Sequence, residues 1–169
     1  MTKKLYGLLL LVGVHSANAQ TPFTFAGSSW GESIQTFDTK LKQAGFTGCE
    51  WQEKMLCSTR TICTCTFDGS TIRFGRANFT NQKMDSVTVG VQNQEATSDT
   101  LKKKYGPPLP TVNNPKLTPY LQYQEQQILR WRNAKGDTLV LDQNSVLEYT
   151  SGEKVLNQEK NKRTQDGAY

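Results

Sequence analysis

Polar and apolar residues alternate along Thr61-Ile-Cys-Thr-Cys-Thr-Phe67, placing Cys63, Cys65 and Phe67 on one side and Ile62, Thr64 and Thr66 on the other. A period of two belongs to a strand with one wet face and one packed face, so the thiol side points inward. Val87, Val89 and Val91 repeat the pattern within Ser86–Gln92. Along 121–132 the odd positions include Leu121, Tyr123, Leu129 and Trp131, and the even positions carry Gln122, Gln124, Gln126, Arg130 and Arg132. The period changes in Glu32–Gly45, where Ile34, Phe37, Leu41 and Ala44 form a helical stripe. Ser29-Trp-Gly-Glu32 has the form of a capping box, and Gly45 followed by Phe46 supplies a left-handed stop with a hydrophobic closure.

These patterns predict a helix and then strands at 48–57, 60–67, 71–76 and 85–92, with Asp68-Gly69 as a turn. Asn78-Phe-Thr80 fits a glycosylation sequon and is read as a strand-end turn. The order then restarts. Thr97 or Ser98 caps a short helix carrying Leu101 and Tyr105, stopped by Gly106-Pro107-Pro108. A loop rich in Pro and Asn covers 106–119, and strands follow at 121–133, 137–142 and 145–150. From Ser151 onward only Val155 and Leu156 are large and apolar, so 151–169 reads as a flexible polar tail. The expected fold class is α+β: two successive helix-then-antiparallel-sheet units, about 28–92 and 95–150, in one two-layer domain spanning 20–150.

The first twenty residues change the chemistry available to the rest. Lys3 and Lys4, the apolar run Leu5–Val14 and Ala17-Asn18-Ala19 have the form of a secretory signal peptide over residues 1–19, with cleavage after Ala19. An apolar run near ten residues is too short for a bilayer span, which needs roughly 20. No later segment has a comparable run, and the expected compartment is a bacterial periplasm. Cleavage removes Lys3, Lys4 and the only histidine, His15; all 15 acids stay, which leaves a net charge of +3. Without an imidazole, Ser-His-Asp and Cys-His hydrolases and the common exported zinc hydrolases are excluded. Lys102-Lys103-Lys104 is the only basic triplet and reads as a solvated helix face, so nucleic acid is not an expected partner.

In that compartment the four cysteines read as staples. Cys49, Cys57, Cys63 and Cys65 lack both the paired knuckles of a zinc site and the C-x-x-C of a thioredoxin. Cys63 and Cys65 project in parallel from one strand face and do not bond each other. Two arrangements remain: nested, Cys57–Cys63 with Cys49–Cys65, or crossed, Cys57–Cys65 with Cys49–Cys63. The nested form is preferred because it closes a tight hairpin around Ser58–Ile62.

A helix followed by an antiparallel sheet, twice over roughly residues 30–150, resembles small exported bacterial domains such as β-lactamase inhibitory protein and the small lipoprotein of the outer-membrane barrel assembly machinery. The resemblance is one of element order, without a shared motif, and this chain has no lipid-anchor cysteine. It implies a binder that presents a sheet face or loops to another protein.

The catalytic candidates are few. Ser151-Gly-Glu-Lys154 matches S-x-x-K but lacks the companion elements of penicillin-recognising enzymes, and it reads as a polar surface turn. No spacing marks a carboxylate pair, and phosphate-loop and calcium-loop patterns are absent, so neither a cofactor nor a metal is expected. Arg130-Trp131-Arg132 sets two guanidinium groups opposite a core tryptophan, with Tyr120 and the Pro-rich loop bordering the same surface; arginine and aromatic residues are enriched in binding hot spots. Trp30 and Trp51 are expected to pack against the core. The leading reading is a non-catalytic periplasmic protein-binding module of inhibitor, toxin-immunity or envelope-assembly type. Its partner is another envelope protein, and no membrane segment remains after cleavage. The alternative is a small envelope enzyme, or a cell-wall or ligand binder, using carboxylates.

Overall fold

The computed structural model describes residues 22–51, 62–111 and 115–166; the leader segment and Cys57 lie outside them. The first helix, α1 (Ile34–Gln43), is capped by Ser33, whose side chain accepts from Thr36 N, and not by the expected Ser29–Glu32 box. Glu32 instead ion-pairs with Lys40 at 2.6 Å, while its carbonyl accepts from Met84 N. The other end follows the sequence. Gly45 has φ +84°, its N–H donates to Lys42 O, and Phe46 N–H donates to Leu41 O, which is the paired hydrogen bonding of a glycine stop. Phe37 and Leu41 are fully buried, and Phe37 meets Phe67 and Phe79 edge-on.

Next comes a meander of β1 (Glu50–Trp51), β2 (Ile62–Phe67), β3 (Ile72–Thr80) and β4 (Lys83–Val91). The β3–β4 hairpin is longer than predicted. Its turn is Asn81-Gln82, both with positive φ, so Asn78 lies inside β3 and is not a strand-end turn. Asn78 is bridged on either side, accepting from Thr64 and donating to Ser86. The second helix, α2 (Gln94–Tyr105), starts earlier than expected because Asn93 is the cap, accepting from Ala96 N; Thr97 and Ser98 lie within it.

Two larger differences follow. The predicted strand 121–133 is helical in its first half: α3 spans Pro119–Gln126, and only β5 (Leu129–Arg132) is extended. Thr118 caps α3 and Pro119 fills its first turn, where the missing N–H costs nothing. The residues that follow lack the β-branched side chains that favour strands. After β6 (Thr138–Leu141) and β7 (Val146–Thr150), the expected flexible tail 151–169 is a helix instead, α4 (Gly152–Asp166). Ser151 Oγ accepts from Lys154 N at its start.

All seven strands join one antiparallel sheet in the order β1-β2-β3-β4-β7-β6-β5. The two meanders meet where their last strands, β4 and β7, pair. One face carries Phe67, Phe79, Val87, Val89, Leu139, Leu147, Tyr149 and Trp131 in a single core with Phe37 and Leu41 of α1 and Leu101 and Tyr105 of α2. The segment before α1 is part of it: Phe23 stacks edge-on against Tyr105, and Phe25 contacts Phe46, Phe67 and Tyr149. Trp30 packs partly buried on this core, as expected.

Cys49 and Cys65 form a disulfide that ties β1 to β2, and Cys63 is also disulfide-bonded. The Cys49–Cys65 bond belongs to the nested arrangement and rules out the crossed one. Among the described residues, no helix is long and apolar enough to cross a membrane.

Candidate functional site

The three residues singled out as a binding surface, Tyr120, Arg130 and Arg132, lie on two adjoining elements. Arg130 and Arg132 leave β5 on the face opposite Trp131, which is buried and donates its indole N–H to Gly106 O at 2.9 Å. Arg130 also holds Glu125 of α3 at 2.9 Å, which fastens the end of the helix to the strand. Leu109 N donates to Arg130 O at 2.7 Å. This bond sets Leu109 beside β5, the last strand of the sheet.

Tyr120 sits on α3, 68% exposed, with its hydroxyl accepting from Gln124 Nε2. It does not share the strand face with the arginines; Glu125 is the link between them. Periodicity missed the residues around it. Tyr123 is 61% exposed, Leu121 and Leu109 are also exposed, and α3 buries none of its own side chains. The signal that finds α3 is Thr118-Pro119, a cap followed by proline at the first helical position. An eight-residue helix with no buried side is far shorter than the roughly 12–15 residues at which isolated helices become even marginally stable in water. Its cap, the Glu125–Arg130 pair and its tyrosines therefore form a unit presented outward.

The Ser-x-x-Lys candidate has a different structural role. Ser151 is nearly buried as the cap of α4. Lys154 Nζ donates to Asp85 Oδ1 at 2.8 Å and to Ser86 Oγ at 2.7 Å, so its protons are directed at a carboxylate and a hydroxyl on β4 and not at Ser151. Ser86 in turn donates to Asp85 and accepts from Asn78, leaving a closed network. A second closed network holds the far end of the same helix start. Asn133 and Asp137 are both buried, Asn133 Nδ2 donates to Asp137 Oδ2, and Gly152 N donates to Asp137 Oδ1. Among the described residues, no group of three or more His, Cys, Asp or Glu side chains converges as metal ligands would.

In the interior, burial and the neighbouring Tyr105 push the Tyr149 phenol well above its ordinary range. The Tyr105 hydroxyl itself is buried without a hydrogen-bond partner.

No protein-family model, no curated protein and no solved structure matches this chain.

Proposed function

We propose that this chain is a non-catalytic protein-binding module exported to the bacterial periplasm, of the inhibitor, toxin-immunity or envelope-assembly kind. The observation that carries the reading is the α3–β5 corner, where Tyr120, Leu121 and Tyr123 stand exposed on a helix that buries nothing, beside Leu109 and the Glu125–Arg130 pair. Tyrosine presents a large amphipathic surface at little conformational cost, and arginine next to it supplies forked hydrogen bonding; both recur where binding energy concentrates. The Glu125–Arg130 pair and the bond from Leu109 N–H to Arg130 O fasten this corner to β5, at the edge of the sheet opposite the disulfide. The leader-like residues 1–19 support export, and the disulfide suits an oxidising compartment.

The test is capture from envelope extracts with the purified mature chain, compared with a Tyr120→Ala, Tyr123→Ala, Arg130→Ala variant. The expected result is a stoichiometric protein partner retained by the parent chain and lost by the variant, with the two far-ultraviolet spectra alike. Capture that is indifferent to the three substitutions, or no partner at all, overturns the assignment of this corner.

A further inference from the structure

The face of the sheet turned away from the core carries an ordered array that only the strand register brings together. Across the seven strands, from β5 to β1, one row reads Arg130, Val140, Glu148, Thr88, Arg76, Thr66, Glu50. The charges alternate at every second strand, plus, minus, plus, minus, with neutral residues between them. Strands lie about 4.8 Å apart, so successive charges in the row are separated by roughly 10 Å. Arg76 and Glu148, the two nearest the centre, are both exposed.

Thr88 occupies the middle of the row, on β4, the fourth strand of seven. A two-fold axis parallel to β4 through Thr88 reverses the row onto itself. Arg76 then faces Glu148 of a second copy, Glu148 faces that copy's Arg76, and Arg130 and Glu50 face each other at the two ends. No like charges meet. The adjoining row is apolar at its centre. Its centre is Gly90, flanked by Phe74 on β3 and Val146 on β7. Phe74 is 42% exposed, with its ring lying against Gly90, where an added Cβ would collide with it. The same axis sets Phe74 against Val146 of the second copy, apolar on apolar. The third row, through Ser86, is already engaged by Lys154 of α4 and takes no part.

We infer that this chain self-associates face to face through the open side of its sheet, as a two-fold dimer with its axis along Thr88 and Gly90. A self-complementary patch is what a two-fold interface requires, because each residue must suit the residue its own symmetry mate presents. Two rows across seven strands cover roughly 300–500 Å² per copy, below the size of a standard stable interface, so the dimer is weak, concentration-dependent and sensitive to salt. It does not rest on the α3–β5 reading: only Arg130 is common to both, and Glu125 already partners it.

The experiment is sedimentation velocity on the purified mature chain at rising concentration, in low and in high salt. Three variants accompany it: Arg76→Glu, Glu148→Arg, and the two combined. The expected result is reversible dimerisation in low salt that weakens in high salt and is weakened roughly tenfold or more by either single reversal, which places like charges opposite each other twice. The double variant restores it, because its row reads plus, plus, minus, minus and still meets its own reverse with opposite signs. An equimolar mixture of the two single variants restores it as well, as a heterodimer. A chain that stays monomeric at millimolar concentration in low salt overturns the inference. So does a dimer indifferent to the single reversals, or one that neither the double variant nor the mixture recovers. If a single reversal perturbs folding by circular dichroism, Arg76→Gln and Glu148→Gln take its place, with partial weakening as the expected result and no change as the refuting one. Purified chain alone is used, so the outcome is independent of whether any envelope partner is captured.

Discussion

Replacing Cys49 and Cys65 together by alanine isolates what the observed disulfide contributes. The bond closes a segment with a sequence separation of 16, and the chain-entropy relation for a loop of that length gives about 3 kcal/mol of stabilisation through the unfolded state. Cys65 is also wholly buried in the core, so losing its sulfur removes packing worth about 1 kcal/mol more. Among the described residues, β1 pairs with β2 through Glu50 with Thr66 and Trp51 with Cys65. What still tethers this corner is Cys49 N donating to Asp38 Oδ1 at 2.6 Å, with Asp38 also bonded by Lys42. The net loss is therefore about 4 kcal/mol out of the 5–15 kcal/mol typical of a domain. For a chain of this size that lowers Tm by roughly 8–16 °C. Thermal denaturation followed by circular dichroism, with urea melts to check that the slope is unchanged, reads the value. A fall of only 1–2 °C would refute the reasoning, because it would mean that the segment joining β1 to β2 is constrained equally well without the bond. A loss at least as large is expected of the parent chain under a strong reductant, which also opens the bond that Cys63 makes.

Gly75 lies opposite Phe67, and a Cβ there would overlap the Phe67 ring; since Phe25, Phe37 and Phe46 surround that ring, Gly75→Ala is expected to cost about 1–3 kcal/mol by overpacking, read as a lower urea midpoint. Lys154→Met removes both bonds from α4 to β4; residues 157–163 of that helix are exposed on every side, so α4 is expected to fray. The four helices hold 10, 12, 8 and 15 residues, so up to a third of the far-ultraviolet helical signal is at stake, and an unchanged spectrum counts against this anchor. Burial, reinforced by Tyr105, raises the Tyr149 phenol above its ordinary value of 10.0. The stabilisation it reports is fully present below that pH and is lost as pH rises above it, so Tyr149→Phe is expected to flatten the alkaline limb of the stability profile, and an identical limb would show that other groups set it.

The parts of this fold that local rules govern were legible. Helix α1 and its Gly45-Phe46 stop follow from a stripe and a cap chemistry that act over a few residues, and β2 follows from the threonine–cysteine alternation. Errors arose where two periods compete or where a stabilising contact is distant. Leu121 and Tyr123 continue the odd-numbered pattern of Leu129 and Trp131, yet they belong to a helix set by Thr118-Pro119 and bury nothing. The α4 segment has only Val155 and Leu156 as large apolar residues, so composition alone argues against order; its start is held by Asp85, Ser86 and Asp137, residues on other elements. Arg130 and Arg132 were identified as one strand face, whereas Glu148 beside Thr88 beside Arg76 exists only because β7 pairs with β4, a join between the two meanders that no local pattern announces.

That join also decides which chemistry the surface offers. With α1, α2 and Phe23 and Phe25 packed on one side of the sheet, the opposite side carries the first turn of α4, and Thr64, Asn78 and Ser86 bond one another across its strands. Ser86 is the clearest case: its oxygen accepts from Lys154 and Asn78 and donates to Asp85, which leaves no proton or lone pair poised for an incoming reactant. A hydroxyl so fully engaged stabilises its neighbours at the expense of nucleophilicity, since attack would first require breaking bonds inside a part-buried network. Among the described residues, the groups left exposed to another molecule include the alternating charges beside Thr88, Phe74 and the tyrosines of α3. Their common character is contact at a surface, and this is the physical ground for reading the chain as a platform that binds.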